Sequence, residues 1–434
     1  MKKIIVAGAG HGGLITAASL AKEGFDVTVI EQKKRKELGY DWTDVFNIEC
    51  FANAGVPIPD NLNYSLKDNM TFYSSNLSSS KNPNVPINKR EVKMERKEIY
   101  DILINYAKKS NVKFIYNKKI IEAITNENRV LGVKSKHNNF YADLVIDACG
   151  VNSPIRCSLN DNFGIEKKLD NNGKFYVYRA FYKRSDTTIP KNKYKFYLMP
   201  HESKGISWAA CEDDYIDILI GKFEKIDEKA IKQELKWLKK YNNISNKKIR
   251  GGQISEIPVR RPLSQLVYNG YSAIGDSAFM TIPLMGSGIA LSAEAAKILT
   301  DVIIKNKNSN YNITDLWEYQ TIFYQKFGYD LAYKDILKEF VLNLDYEDIN
   351  FAFSNNIIND NILLRTTNAQ ELKLSFKDLL EIIKKSARKP KLLFKLSNAF
   401  LKCNKISYLC KKNPKYYSYK KVEKWKNKYL KIKA

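Results

Sequence analysis

The sequence has few of the residues that build metal centres and disulfide frameworks. Its 434 residues include only three histidines and six cysteines, and the cysteines form no CxxC pair. This spacing favours neither a zinc site nor a set of disulfides. We therefore predict no metal and a reducing, cytoplasmic compartment.

Long apolar runs are also missing. No stretch of about 18 uncharged apolar residues occurs, and the nearest, residues 273–293, contains Asp276 and several glycines, so no membrane-spanning helix is predicted. A Gly-rich segment follows the first seven residues where a signal peptide would need a cleavage site, so no signal peptide is expected. Attachment to the inner face of the membrane as a peripheral protein stays open.

Acidic residues are scarce, and the shortage is uneven. The chain has 72 Lys plus Arg against 47 Asp plus Glu, a net charge of +25, and residues 379–434 hold 18 basic residues and only 2 acidic ones. Aromatic and aliphatic residues interleave with these lysines at Tyr416, Tyr417, Tyr419, Trp425, Tyr429 and Leu430. Such a segment can lie on an anionic membrane surface. A solvated basic face is the alternative, and a nucleic-acid partner is unlikely because no binding motif accompanies the charge.

The first 31 residues have the pattern of a βαβ unit. Strands are predicted over residues 3–7 and 25–31, with a helix over 12–23 between them. A helix over 96–109 then leads to strands over 112–116, 119–125, 130–136 and 140–147. Aromatic, alternating strands over 174–183, 194–199, 205–211 and 215–221 and a helix over 227–240 indicate a separate sheet. From residue 314 onwards the pattern is helical.

A glycine motif lies at the first strand-to-helix turn. Gly8, Gly10 and Gly13 form GxGxxG directly after the predicted strand, and Glu31 ends the second strand. These glycines allow a tight turn, close approach of backbone to a pyrophosphate and close packing of helix on strand. The helix N-terminus offers free N–H groups to an anion, and Glu31 can accept hydrogen bonds from a ribose. The intervening His11 and Gly12, together with Gln32, complete the dinucleotide-binding residues predicted here.

Two later segments resemble the second and third FAD signatures of flavoproteins with the p-hydroxybenzoate hydroxylase type of fold. The first is residues 142–150, ADLVIDACG, followed by Ser153 and Arg156. The second is residues 270–278, GYSAIGDSA, followed by Pro283, Gly286 and Gly288. The resemblance implies that FAD, rather than NAD, is the bound dinucleotide.

Within that superfamily, the stretch from Ile257-Pro258-Val259 through Pro262 to Gly275-Asp276 resembles the geranylgeranyl reductase family, whose members saturate isoprenoid double bonds using reduced FAD. The resemblance implies that Asp276 binds the ribityl chain and that Arg96 lies near the ribityl or phosphate groups. It also implies that Asp147 and Gly150 close the turn beneath the adenine half. The other cofactor-binding residues that it implies are Gly275, Pro283, Gly286, Ser287, Gly288 and Ile289.

The resemblance and the patterns together predict an α/β fold, α+β overall. A discontinuous Rossmann-type FAD-binding domain is expected over residues 1–60, 90–164 and 256–312. An inserted antiparallel β-sheet substrate domain is expected over 61–89 and 165–255, and a helical, basic C-terminal region over 313–434.

Catalytic residues are less clear from the sequence. Cys50 is a weak candidate as a proton donor, and His201 is a weak candidate for a place near the flavin, although a small buried cysteine and a strand-end histidine without a role are the commoner cases. Asp41 and Asp44 beside Trp42 are expected in an exposed turn. Phe279 stands where hydroxylases commonly carry a histidine, and the paired tryptophans of flavin-dependent halogenases are absent.

These observations predict an FAD-dependent oxidoreductase that transfers hydride from flavin N5 to a carbon–carbon double bond of an apolar prenyl or lipid substrate. The same motifs would serve an FAD-dependent monooxygenase or a halogenase-like enzyme acting on a small aromatic or apolar substrate. A membrane-surface binding module that holds FAD structurally is a further alternative. With no second GxGxxG in the chain, NAD(P)H would bind only transiently, or a ferredoxin-type donor would supply the electrons.

Overall fold

The fold is described from a computed structural model, which covers residues 1–87, 90–167, 169, 171–367 and 376–433. Parts of two predicted units lie outside the described residues: residues 88–89, 168 and 170 of the substrate domain, and residues 368–375 and 434 of the C-terminal region.

Strands and helices are mixed through the first 310 residues, and the described residues after them form helices without strands. The strands are β1 Lys3–Ala7, β2 Asp26–Ile30, β3 Thr43–Phe46, β4 Ser65–Leu66, β5 Met70–Tyr73, β6 Ser80–Lys81, β7 Val92–Glu95, β8 Lys113–Ile115, β9 Ile120–Asn126, β10 Arg129–Ser135, β11 Asn139–Tyr141, β12 Leu144–Asp147, β13 Lys174–Arg184, β14 Lys193–Leu198, β15 Gly205–Cys211, β16 Tyr215–Lys222, β17 Ile244–Pro258, β18 Val267–Tyr268 and β19 Tyr271–Ala273. The helices are α1 His11–Lys22, α2 Glu49–Asn53, α3 Arg96–Lys109, α4 Pro154–Ser158, α5 Glu228–Tyr241, α6 Ile289–Lys305, α7 Ile313–Phe323, α8 Tyr329–Leu342, α9 Tyr346–Ser354, α10 Asp360–Thr367, α11 Phe376–Ser386, α12 Pro390–Lys411 and α13 Tyr419–Lys431.

The first sheet is parallel except at one edge. Its order is β18-β19-β12-β1-β2-β8, with β1 paired in parallel to both β2 and β12, and only β18 runs antiparallel to its neighbour β19. The strands are apolar and buried on both faces, as a sheet covered on both sides requires,. Helix α1 packs against both α3 and α6 beside the sheet. This is the predicted Rossmann-type arrangement, with β12 and β19 supplied by later segments of the chain.

The second large sheet has the order β17-β13-β16-β15-β14-β5-β6. All its pairings are antiparallel except the one between β14 and β5. One face packs under α5. Side chains of the other face, Phe72 and Phe196 among them, pack against α8, α9, α11 and α12. The predicted α/β class with antiparallel sheets and a helical C-terminal region is confirmed.

The predicted single strand over 140–147 is wrong. The chain pairs with β10 only to Tyr141, and it joins β1 only from Leu144. Between them the Asp143 N–H donates to the carbonyl of Lys3. One continuous apolar run therefore serves two sheets, a small antiparallel one with the order β11-β10-β9 and the parallel one.

Two of the closing aromatic residues are buried, whereas Tyr416 and Tyr419 are exposed. Trp425 and Tyr429 of α13 are buried in the main core, with their rings stacked 4.9 Å apart. The Tyr429 hydroxyl donates to the carbonyl of Pro262 at 2.7 Å, and Lys426 Nζ donates to the carbonyl of Gly164 at 2.7 Å. Helix α13 is thus a structural element that closes the first domain.

Among the described residues, no helix combines the length and the apolar character needed to cross a bilayer.

Candidate functional site

A cavity of about 1250 Å³ runs from the glycine turn after β1 to the C-terminal helices. It exceeds the range of roughly 300–1,000 Å³ that is usual for small-molecule sites. The two ends of its wall differ in chemistry: glycines and charged groups line one end, and Leu, Ile and Phe side chains line the other.

The turn between β1 and α1 fits only glycine at its key positions. Gly8 has φ +90°, and a Cβ there would lie 2.5 Å from the carbonyl oxygen of Ala148. A Cβ on Gly13 would lie 2.7 Å from the Ala148 Cβ, and one on Gly10 would lie 3.1 Å from its oxygen. No side chain caps α1, and its first turn carries no acidic residue. Its N-terminal N–H groups therefore offer an anion site beside the cavity.

Glu31 lies at the end of β2, buried on the cavity wall beside Gln32. Its carboxylate accepts hydrogen bonds from the backbone N–H of Ala9 at 2.8 Å and of Lys33 at 2.9 Å. Each oxygen keeps a second lone pair. The carboxylate is therefore fixed in place and can still accept from the hydroxyls of a sugar.

Arg96 and Asp44 form an ion pair on the cavity wall. Two contacts of 2.6 Å join the guanidinium to the two carboxylate oxygens, and both side chains are largely buried. The guanidinium also donates to the Tyr40 hydroxyl and lies 4.6 Å from the Tyr40 ring and 5.3 Å from the Trp42 ring. Burial is the largest single influence on the pKa of Asp44 and would raise it, but the charge of Arg96, its hydrogen bonds to the carboxylate and smaller effects of other neighbours together hold that pKa below its ordinary value.

The expectation of an exposed turn around Trp42 is therefore wrong for Trp42 and Asp44. Trp42 is buried, and Asp44 neutralises the buried Arg96. The signal that sequence reasoning overlooked is the period of two in Tyr40, Trp42 and Asp44, which is typical of one face of an extended segment.

His11 is the first residue of α1 and lies on the cavity wall. Its ring centroid is 4.9 Å from that of Tyr100, and its buried Nε2 has no hydrogen-bond partner within the described protein. Burial, reinforced by the nearby Arg96 charge, lowers the pKa of His11 to about 4. The imidazole is therefore neutral at pH 7, and its Nε2 is left without a hydrogen-bond partner in the described protein.

The segment between β19 and α6 forms the opposite wall. Gly275 and Gly286 have φ values of +65° and +68°, and a Cβ on Gly288 would lie 2.8 Å from the Thr281 Cγ2. Asp276 is enclosed, and burial raises its pKa to about 6. The other predicted residues of this segment that line the cavity are Pro283, Ser287 and Ile289.

Asp147 is the one predicted cofactor-binding residue that does not line the cavity. Its carboxylate accepts from Ser153 Oγ at 2.5 Å, from the Tyr271 hydroxyl at 2.9 Å and from the Cys149 N–H at 3.1 Å. These bonds hold the turn after β12, whose Gly150 does reach the cavity. Asp147 therefore acts on the site through the shape of this turn.

The far end of the cavity is apolar. Phe72 and Phe196 stack there with ring centroids 4.6 Å apart. Side chains from α8 to α12 complete the wall: Leu337, Phe340, Val341, Leu342, Ile349, Ala352, Ile362, Leu363, Ile382, Leu392, Leu396 and Phe400. A buried ion pair between Arg179 and Asp217, which the sequence did not suggest, stands where this region meets the charged end.

The structure does not bring the two weak catalytic candidates to the cavity. Cys50 is buried in α2, away from the cavity wall, and burial raises its thiol pKa to about 12. His201 lies 3.9 Å from Glu234 and 5.0 Å from the Trp237 ring, beside α5 on the other face of the sheet.

The charged end of the cavity fits FAD. Two uncapped helix N-termini, those of α1 and α6, border it without an acidic residue in either first turn. Glu31 and Asp276 are carboxylates that can accept from sugar hydroxyls, and the strained glycines let backbone approach a flat ring and a pyrophosphate. FAD would therefore be held by the α1 turn at its phosphates and by Pro283–Ile289 at its ring.

Comparison with known proteins agrees with this assignment. Residues 6–46 match an NAD(P)-binding Rossmann-like domain. The chain is 22% identical over 426 residues to a digeranylgeranylglycerophospholipid reductase of Sulfolobus acidocaldarius, with 94% of this chain and 92% of the relative covered. It is 26% identical over 376 residues to a digeranylgeranylglycerophospholipid reductase 2 of Methanococcoides burtonii, with 82% and 88% covered.

Solved structures show the same fold. A geranylgeranyl bacteriochlorophyll reductase-like protein from Thermoplasma acidophilum matches with a TM-score of 0.68 at 16% identity, covering 92% of this chain and 99% of that one. A flavin-dependent brominase matches with a TM-score of 0.62 at 14% identity, covering 90% and 98%. The predicted flavoprotein fold and the predicted resemblance to geranylgeranyl reductases are confirmed, and the class of FAD-dependent oxidoreductase is supported.

Proposed function

We propose that this chain, an FAD-dependent oxidoreductase by fold and by likeness, reduces carbon–carbon double bonds in a prenyl or lipid chain. The observation that carries the proposal is the continuity of one cavity between the dinucleotide-binding glycines and an apolar chamber. Relatives named as reductases of digeranylgeranylglycerophospholipid, matched over most of their length, support it.

Bound FAD, once reduced, supplies the hydride that an alkene carbon accepts. The protein holds and aligns the two partners. The apolar walls at Phe72, Phe196 and the C-terminal helices bury an isoprenoid chain and exclude water, and burial of each CH₂ contributes roughly 0.8 kcal/mol. Reaction of each double bond adds one hydride and one proton to the lipid. Because the flavin supplies the redox chemistry, the main contribution of the protein is to fix the alkene against the flavin ring.

The charged end of the cavity stays compatible with this chemistry. Asp44 neutralises Arg96, and His11 remains uncharged. These three side chains together therefore add little net charge beside the apolar chamber. The Pro283–Ile289 segment and the N-terminus of α6 present backbone N–H groups, which favour the negative charge of a reduced flavin.

The test is an anaerobic turnover with the purified chain loaded with FAD. The flavin is photoreduced, an unsaturated diprenyl glycerophospholipid is added in detergent, and flavin reoxidation is followed by its absorbance. Mass spectrometry should show a gain of two hydrogens per reacted double bond. A fully saturated lipid of the same headgroup is the control and should leave the flavin reduced. No lipid reduction, with NAD(P)H oxidised rapidly in air, would favour the monooxygenase alternative.

A variant separates the chamber from the cofactor site. Ala352 lines the apolar end, so Ala352→Trp should fill part of the chamber and slow lipid reduction while FAD binding and photoreduction stay unchanged. Ala52→Trp, at an exposed position of α2, is the matched control and should behave as the parent protein. The choice between NAD(P)H and a ferredoxin-type donor is read from which of them reduces the flavin.

A further inference from the structure

Helices α11 and α12 each have two apolar faces. On α12, Leu392, Leu396 and Phe400 line the cavity, whereas Phe394, Leu401 and Tyr408 are 75%, 71% and 65% exposed. The second set is spaced by seven residues, so it forms one stripe along the outer face of the helix.

Helix α11 repeats this arrangement. Ile382 lines the cavity, while Leu380 and Ile383 are 50% and 47% exposed. The two helices contact each other. Large apolar side chains on the outer faces of two adjacent helices are unusual on a surface that meets only water.

The charge on α12 is of one sign, and on α11 the acidic residues Asp378 and Glu381 are accompanied by Lys384 and Lys385. Helix α12 carries five lysines, Lys391, Lys395, Lys402, Lys405 and Lys411, and no Asp or Glu. Lys391 and Lys405 are exposed beside the stripe. Exposed aromatic and aliphatic side chains flanked by lysines on a helix are the features of a segment that lies in the plane of an anionic bilayer, where each lysine contributes on the order of 1 kcal/mol.

We propose that the outer faces of α11 and α12, defined by Leu380, Ile383, Phe394, Leu401 and Tyr408, dock on an anionic lipid bilayer, and that substrate passes from the bilayer into the chamber beside these helices. The docking surface deepens the proposed function and rests on it for the identity of the substrate. It narrows the membrane surface that the sequence suggested over residues 379–434 to the outer faces of α11 and α12, because Trp425 and Tyr429 of α13 belong to the core. One pair of helices thereby serves as the chamber wall and as the contact with the membrane.

The test is vesicle co-sedimentation of the full chain with FAD bound. Vesicles contain phosphatidylcholine and phosphatidylglycerol in equal parts, or phosphatidylcholine alone. Phe394→Ser/Leu401→Ser/Tyr408→Ser should lower the partition coefficient at least about tenfold. These positions are exposed, so the fold is retained, which the flavin spectrum and the melting temperature verify. Ile121→Ser/Tyr141→Ser/Ile249→Ser removes three exposed apolar side chains elsewhere and should leave partition unchanged.

A charge variant tests the second half of the argument. Lys391→Glu/Lys405→Glu should reduce partition into the anionic vesicles by at least about tenfold and leave partition into neutral vesicles unchanged. Equal sedimentation of the parent and the α12 triple variant would overturn the proposal. A dimer in solution that the triple variant dissociates would overturn it too, because the surface would then be covered by a second copy of the chain.

The two proposals fail in different ways. If the parent reduces lipid in detergent but does not sediment with vesicles, the docking surface is refuted and the proposed function stands. If it sediments through the α12 stripe but reduces no lipid in any form, the function is refuted and the docking surface stands.

Discussion

Removing the charge of Asp44 should destabilise the protein far more than the loss of an ordinary surface ion pair. In Asp44→Asn the carboxylate that faces Arg96 becomes a neutral amide, while the guanidinium keeps its charge in a largely buried position. The pKa of Asp44 lies below its ordinary value because the charge and hydrogen bonds of Arg96, together with other neighbours, outweigh burial. The pair is therefore fully charged at pH 7, and the whole interaction is lost in the variant.

The expected magnitude follows from the geometry. Two contacts of 2.6 Å join side chains that are 16% and 11% exposed, and breaking a buried pair by removing one partner costs about 3–5 kcal/mol. We expect the free energy of unfolding of the FAD-free protein to fall by about 3 kcal/mol. Replacing both partners, as in Asp44→Leu/Arg96→Met, should recover a large part of this loss, because no unpaired charge then remains in the interior.

The assay is urea unfolding of FAD-free protein followed by tryptophan fluorescence, which keeps cofactor binding out of the comparison. Asp301→Asn, which breaks the exposed pair of Lys297 and Asp301, is the control and should change the free energy of unfolding by no more than about 0.5 kcal/mol. If Asp44→Asn is no more harmful than Asp301→Asn, the pair is not the buried, fully charged interaction described above.

Three further results are expected. Gly13→Ala places a Cβ 2.7 Å from that of Ala148, so it should destabilise the fold by about 1–3 kcal/mol and weaken FAD retention. Unfolding measures the first effect and FAD titration the second. Unchanged retention would contradict the close packing. The pKa of His11 falls from 6.5 to about 4 on folding, so below pH 6.5 the unfolded chain binds a proton that the folded chain does not. His11 should therefore take about 3 kcal/mol from the free energy of unfolding of FAD-free protein as pH falls from 6.5 to 4. Asp276, whose pKa is raised to about 6, acts in the opposite direction in both proteins, so the prediction is that the difference between the parent and His11→Asn in urea unfolding changes by that amount; a constant difference would refute it. Tyr429→Ala should lower the free energy of unfolding by about 3–5 kcal/mol, because the ring is fully buried,. Tyr419→Ala, at an exposed position of the same helix, should change it by no more than about 0.5 kcal/mol in thermal melts. Equal losses for the two variants would mean that α13 is not part of the core.

The sequence predicted the parts of the fold that depend on local rules. Glycines at Gly8, Gly10 and Gly13 after an apolar strand leave few alternatives to a dinucleotide turn, and the structure gathers them with Asp276 and Gly288 around one cavity. The match arises because a Cβ at Gly8 would meet backbone at 2.5 Å and one at Gly13 would meet the Ala148 Cβ at 2.7 Å.

The rest depends on contacts between distant segments, which local patterns do not report. Asp44 reads as an exposed turn residue until Arg96, 52 residues later, is placed against it. Trp425 and Tyr429 read as an amphipathic tail until the carbonyl of Pro262 supplies the partner of the Tyr429 hydroxyl. Cys50 is a reasonable proton donor by residue type, and only the packing of α2 against α6 shows that it is away from the cavity.

The docking of α13 on the first domain has a consequence for biosynthesis. The parallel sheet needs β19, which ends at Ala273, and the core beside Pro262 needs Tyr429. A nascent chain therefore emerges from the ribosome with its flavin-binding turn made early and its core left incomplete until α13 has been synthesised. Apolar surface stays open throughout that interval, so yield in a heterologous host should depend on chaperone supply and on a slower rate of synthesis.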